Sequence, residues 1–426
     1  YTDFGFRIHR NNQGANTTSD IKHRGTGKLN VTAQDAGSIA FRTTDTERMT
    51  ISATGEVALT GDITATSYNG GQLGGRRNIV INGEMKVAQR SASVAGLGAA
   101  SGYFTLDRYN MSINSASAGR FTMAQVADGP AGFANCLKLT TTTADTSIAA
   151  GERLTLHQEF EGQDLQQLKK GTASAEQVTV SFYVKGNAAA LYVCELYDGD
   201  NDRHISQSFA VTTAWNRIEL TFAADTSDPL NDDNGASLYV SIWLHGGATY
   251  TGGTFASNTW VEVDNDTRFA VADRTSIFDS TDRTFFITGV QMEIGATATD
   301  FEHRSYGEEL LLCQRYFQQW GGDLAYGYFG GVASITTTSN AFMPLLCTVE
   351  MRANPTFAFV GAASVYDLRN NGNASHPLTG LAGDQLTKTV AGITLTRSNG
   401  DLTADVPGQL IGNNSTVGRL QLSADI

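Results

Sequence analysis

Strict period-two alternation constrains this chain more than any other feature of its sequence. Val178, Val180, Phe182 and Val184 alternate with Thr179, Ser181, Tyr183 and Lys185. Leu238, Val240, Ile242 and Leu244 alternate in the same way with Tyr239, Ser241, Trp243 and His245. Successive side chains of a strand point to opposite faces, so each run predicts a strand with one face in a core and the other outside it. Further strands are expected at 78–81, 121–125, 136–140, 191–196, 217–222 and 285–292. Two antiparallel sheets packed together follow, a jelly-roll-like β-sandwich over residues 76–303.

The residues before the sandwich carry the same alternation on a thinner scale. Leu29, Val31 and Ala33 form one run, Ile39 and Phe41 a second, Met49, Ile51 and Ala53 a third, and Val57 and Leu59 a fourth. Turn signals at Asp35-Ala36-Gly37, Thr54-Gly55 and Gly61-Asp62 separate them. Each run brings only two or three apolar residues to one face, and so thin a ribbon has little of its own to bury against. Residues 1–75 are therefore expected to be a β-stalk that is stable only when wrapped around identical copies, as a homotrimer. The glycine-rich stretch 68–75 marks its end.

Behind the sandwich, Ser305 and Glu308 have the spacing of a helix capping box. Leu310, Cys313 and Phe317 fall on one stripe, and Leu312, Tyr316 and Trp320 on the next. This predicts one well-buried helix over 304–320. Residues 321–426 return to a β pattern, with strands expected at 324–330, 342–351, 356–360, 393–397 and 420–422. Asn371-Gly372 and Asn399-Gly400 are turn signals there.

Composition excludes several function classes. Among 426 residues, 43 acidic against 30 basic side chains leave a net charge of −13, the wrong sign for a nucleic-acid partner. No apolar run approaches the roughly 20 residues of a membrane helix, so no membrane insertion is expected. Cys136, Cys194, Cys313 and Cys347 have no C-x-x-C spacing and read as buried free thiols of a protein assembled in a reducing cytosol. The chain begins at Tyr1, and an N-terminal attachment segment is expected to precede it. There is no H-E-x-x-H, no G-x-S-x-G and no Ser-His-Asp signature, so the chain is not read as an enzyme and no catalytic residue is assigned. The acidic runs 198–202, 231–235 and 264–266 read as turns. Structural calcium at those runs is the sole metal or cofactor expectation.

Several blocks resemble a known family. Residues 77–90, RNIVINGEMKVAQR, are similar to the RNLIINGDF…QR opening of a domain common in bacteriophage tail-fibre proteins, and 103–109, YFTLDRY, to its Y…DRW element, with Tyr109 in place of Trp. Residues 286–317 run from FITGVQMEIG through ATDFEHRSYGEEL to CQRYF and resemble the family's closing signature, ITGVQLEVG…ATPFEHRSYGEEL…CQRYY. TERMTISATG at 46–55 is similar to a stalk repeat of viral fibres, and Phe342, Pro344 and MRANPT at 351–356 to an element that follows the sandwich. The resemblance implies a homotrimeric fibre whose sandwich is similar to carbohydrate-binding modules. It further implies a virion location on the tail, assembly in the host cytoplasm and contact with other tail proteins through the missing segment. Its function would be host attachment by multivalent binding to a surface glycan or protein. The alternatives are a structural head-fibre or virion decoration protein without receptor contact, and, third, a polysaccharide depolymerase.

A sugar needs an aromatic platform beside polar groups. Tyr183, Tyr239 and Trp243 would form one if their strands share a sheet. Tyr326 and Tyr328 sit among glycines at a candidate distal end. Arg369 and Asn371 lie in a polar loop that would tip the C-terminal domain. These seven are the candidate ligand-binding residues.

Overall fold

The computed structural model describes residues 26–60, 76–115, 117–370 and 374–426. The protein is mainly β and divides into two compact units, Tyr1–Thr66 and Ser67–Ile426. The linker at 68–75 and the turn signals at Gly61-Asp62 and Asn371-Gly372 lie outside the described residues.

In the first unit, β1 (Ile39–Thr43), β2 (Thr46–Ile51) and β3 (Val57–Leu59) form one antiparallel sheet, with Phe41 opposite Met49 and Ile51 opposite Val57. Three of the four expected runs are therefore strands. Residues 29–33 form none, and Leu29 and Val31 stay exposed. The sheet builds no core, for Phe41 and Val57 are each 52% exposed.

The second unit opens with the sandwich. Its six-stranded sheet runs in the order β13 (Asn216–Phe222), β10 (Val178–Gly186), β16 (Thr284–Ile294), β8 (Cys136–Thr143), β7 (Arg120–Val126) and β4 (Ser93–Leu97). The seven-stranded sheet runs β15 (Val261–Glu262), β12 (Arg203–Val211), β11 (Ala190–Asp198), β14 (Ala236–Gly246), β9 (Arg153–Glu161), β6 (Asn110–Asn114) and β5 (Gly102–Tyr103). The alternating apolar residues meet between them. Phe182 of one sheet packs edge-on to Phe209 of the other at 5.0 Å, and Tyr192 on Phe285 at 5.6 Å. Each such fully buried ring contributes on the order of 2 kcal/mol. A short helix, α1 (Ala248–Thr251), follows β14.

Residues 78–81 form no sheet strand. They are pinned instead by side chains. Glu302 accepts the amides of Arg77 and Asn78 at 2.8 and 2.7 Å, and Gln158 accepts that of Ile81 at 2.8 Å. The Asn82-Gly83 step is a close approach that only glycine allows, since a Cβ on Gly83 would lie 2.1 Å from the Val290 carbonyl oxygen.

The expected helix is present but shorter. α2 spans Tyr306–Gln314, with Ser305 and Glu308 closing the capping box. Phe317 and Trp320, read as helical stripes, belong to β17 (Phe317–Gly321), because pairing with the C-terminal strand outcompetes helical propensity there. The helix is not well buried either: Tyr306, Leu311 and Leu312 are exposed, and its buried side chains are Glu309 and Cys313.

The C-terminal β-domain has its own core. One sheet orders β17, β25 (Arg419–Ser423) and β20 (Thr356–Val360). The other orders β21 (Tyr366–Arg369), β24 (Pro407–Gly412), β18 (Ala333–Ile335), β19 (Asn340–Leu346), β23 (Val390–Thr396) and β22 (Gly380–Leu386). Met343, Ile393, Leu395, Leu420 and Leu422 lie between them. No strand forms at 324–330, where glycines interrupt the run.

The recognisable blocks build the junction between the two cores. Buried Glu161 of β9 receives Arg315 in a two-bonded pair at 2.7 and 2.6 Å and the Tyr316 hydroxyl at 2.6 Å. Burial opposes ionisation of this carboxyl, yet Arg315 and Tyr316 hold it below its ordinary range. The Arg108 guanidinium lies 3.4 Å from the Tyr316 ring centroid. Arg352 donates to the carbonyls of Asn234, Ala424 and Asp425 at 2.8, 2.9 and 3.1 Å, and the Tyr103 hydroxyl reaches the Ile426 carbonyl at 3.1 Å. The motif residues thus spend their chemistry inside the fold.

Candidate functional site

The outer face of the seven-stranded sheet carries the candidate site. Three central strands put matching rows of side chains there. Thr155, Trp243 and Val193 form one row, His157, Ser241 and Glu195 the next, and Glu159, Tyr239 and Tyr197 the third. Ser112 of β6 stands beside Thr155. Between them lies a cleft of about 170 Å³. Arg153 and Ser112 stand on one wall, Tyr197 and Tyr239 on another, Arg268 reaches in from a loop, and Glu195 and Trp243 lie in the floor.

The floor is an electrostatic assembly. Glu195 is fully buried and takes both arms of Arg268, with Nε at 2.8 Å from Oε2. Burial alone would lift the Glu195 carboxyl, but Arg268 outweighs it and holds the group below the ordinary carboxylate range. Arg268 also lies 4.8 Å from the Tyr197 ring and 5.0 Å from that of Trp243. Such desolvated contacts add on the order of 2 kcal/mol. His204 sits behind, 3.5 Å from Glu195, and burial depresses its pKa so that it stays neutral.

Tyr197 and Tyr239 are half-buried, with ring centroids 5.2 Å apart and planes inclined at 50°. The Tyr197 hydroxyl donates to Asp202 at 2.8 Å, and His157 meets the Tyr239 ring edge-on at 5.7 Å. Burial pushes both phenols up to about 12, so they remain protonated donors at any physiological pH. Rigid rings with fixed polar neighbours suit a polyhydroxylated ligand, which offers an apolar face and hydroxyls together.

The structure brings together some of the expected ligand residues and separates others. Tyr239 and Trp243 do share the cleft. Trp243, however, is buried, stacked on Phe269 at 5.9 Å and packed on Tyr250 at 5.4 Å, because the segment after β14 folds over that half of the sheet. It is a floor residue and not an open platform. Tyr183 does not join them, because β10 belongs to the six-stranded sheet. On that sheet's far face it packs on Phe133 at 5.3 Å. In the C-terminal domain, Tyr326 and Tyr328 are exposed, and the Arg369 guanidinium lies 5.6 Å from the Tyr326 ring. Asn371 lies outside the described residues.

The acidic runs at 198–202 and 231–235 build turns and bends, while that at 264–266 opens a 3-10 helix, Asn265–Thr267. Asp198 accepts the amides of Asp200 and Asn201 at 3.0 and 3.1 Å and pairs with Lys170, while Asp200 holds the Asn231 amide at 2.9 Å. Among the described residues no cluster of three His, Cys, Asp or Glu is placed to hold a metal ion.

Sequence reasoning missed Arg153, His157, Glu195, Tyr197 and Arg268. Glu195 and Tyr197 had a signal, since they alternate with buried Cys194 and Leu196 and must face outward with Tyr239. Arg268 had none, because it arrives from a loop 25 residues beyond Trp243.

A larger groove of about 560 Å³ runs along α2, floored by Ile79, Ile81, Leu311 and Leu312. Its lining holds no aromatic ring, and its rim cations are paired, Arg76 with Glu308 and Arg315 with Glu161.

No family model and no curated protein matches the chain. Among solved structures it is similar to a family 4 carbohydrate-binding module, at 14% identity and TM-score 0.26, covering 50% of this chain and 97% of that one. A family 61 module in complex with β-1,4-galactotriose matches at 11% identity and TM-score 0.26, over 51% and 99% of the two chains. A family 11 module of a Clostridium thermocellum cellulase matches at 13% and 0.24, over 49% and 99%. Likeness at this level says nothing about a ligand of this chain.

Proposed function

We propose that this chain is a homotrimeric bacteriophage fibre protein, of the tail, that attaches to a host-surface glycan through the cleft on its seven-stranded sheet, without covalent chemistry. The observation that carries the glycan reading is the cleft itself, where two fixed tyrosines stand beside Ser, Thr, His and Arg side chains. The one carboxylate of its lining, Glu195, is locked by Arg268. The fibre reading is supported by the motif blocks quoted above. Trimerisation is supported by the coreless ribbon, whose Phe41, Val57 and Leu59 stay exposed among the described residues of their own unit. Three weak cleft sites on one particle would then hold by avidity.

The test is adsorption competition with the full chain, wild type and the Tyr197→Ala/Tyr239→Ala double variant, added to host cells before phage. The wild type blocks adsorption and the variant does not. Equal blocking by both removes the cleft from the reading. Cells that neither bind the protein nor lose adsorption favour a structural head-fibre or decoration role, which the exposed apolar ribbon also suits.

A further inference from the structure

We infer that the cleft takes an acidic glycan, whose carboxylate or sulfate is received by Arg153; this rests on the glycan-binding reading above. The observation is an unmatched cation. Arg268 is neutralised by Glu195, and His157 faces Glu159 at 2.9 Å. Arg153 has no carboxylate partner among the described residues. One arm donates to the Ser112 hydroxyl at 3.1 Å, and its buried Nε has no hydrogen-bond partner.

Two rings flank the group: the guanidinium lies 5.9 Å from the Trp243 ring and 5.7 Å from that of Tyr250. Burial lowers the Arg153 pKa, with Arg268 adding to it and Tyr250 and Glu195 opposing it. The cleft lining therefore holds two guanidinium groups against the single Glu195 carboxylate. A planar guanidinium fork matches a carboxylate or sulfate two-bonded, and a neutral hydroxyl only singly.

The experiment uses the full chain on a glycan microarray carrying uronate, sialylated and sulfated oligosaccharides, each beside its neutral parent, followed by calorimetry on the best pair. Wild type should favour the acidic member by about tenfold, and Arg153→Gln should remove the preference while Arg153→Lys keeps part of it. Preference for carboxylated over sulfated members, or the reverse, identifies the anion. Equal binding of acidic and neutral partners overturns the inference and leaves the glycan reading intact. Binding to no glycan overturns both. If Arg153→Gln fails to fold, the wild-type ratio still decides.

Discussion

The junction around α2 and the cleft on the seven-stranded sheet are built from the same materials, arginines against a buried glutamate beside tyrosines, and they use them differently. At the junction buried Glu161 is bonded to Arg315, Tyr316 and Gln163, and the Arg108 guanidinium lies 3.4 Å from the Tyr316 ring centroid. In the cleft Glu195 is equally buried and equally paired, but Tyr197 and Tyr239 are half-open and Arg153 has no anion. The network whose tyrosine and carboxylate are both closed over welds two domains. The one whose tyrosines are half-open faces solvent, where a ligand can reach it. The quoted blocks at 103–109, 286–317 and 351–356 fall on the welded side and away from the cleft.

The contrast can be broken most severely at the weld. Glu161→Ala leaves Arg315 and Tyr316 without their shared acceptor and should cost about 4 kcal/mol, measured by chemical denaturation, with cleft binding retained at temperatures where the variant is folded. In the cleft floor, Arg268→Ala strands a buried carboxylate and should cost about 3 kcal/mol. Glu195 has a folded-state pKa below its unfolded value, so the stability it contributes is complete above the unfolded value and is lost as pH falls through the folded one. Wild type should thus weaken on acidification below the ordinary glutamate range, and Arg268→Ala should flatten that slope. An unchanged slope would mean that Glu195 is not held by Arg268.

At the cleft mouth, Tyr239→Ala should lower glycan affinity about tenfold while changing stability by less than about 1 kcal/mol, since the ring is half-exposed. Calorimetry and melting measured together check both halves. The smallest effect belongs to Asp107, a junction carboxyl that burial raises to about 6 despite Arg90 and Gln89. Its sign is opposite to that of Glu195. The folded form takes up a proton as pH falls from 7 to 5, and wild type should gain about 1 kcal/mol over that range, a gain that Asp107→Asn removes.

Much of the sandwich was legible because period two is a local signal. Val178 to Val184 and Leu238 to Leu244 face the core as their alternation requires. What alternation cannot state is which sheet a strand joins. Tyr183 and Tyr239 look alike along the chain and end on opposite outer faces. Phe317 and Trp320 had helical spacing, and a strand about 100 residues away claimed them. Trp243 was correctly placed outward, but the loop that covers it carries no periodic signal. Arg153 became visible as a binding residue only when the structure showed every neighbouring charge already matched.

The most direct test of the central claim is calorimetric titration of host-surface polysaccharide into the full chain and into its Tyr197→Ala/Tyr239→Ala variant. The account predicts saturable binding to the wild type and its loss in a variant whose melting temperature is nearly unchanged. Equal binding by the two proteins would contradict it and move the glycan contact off this sheet.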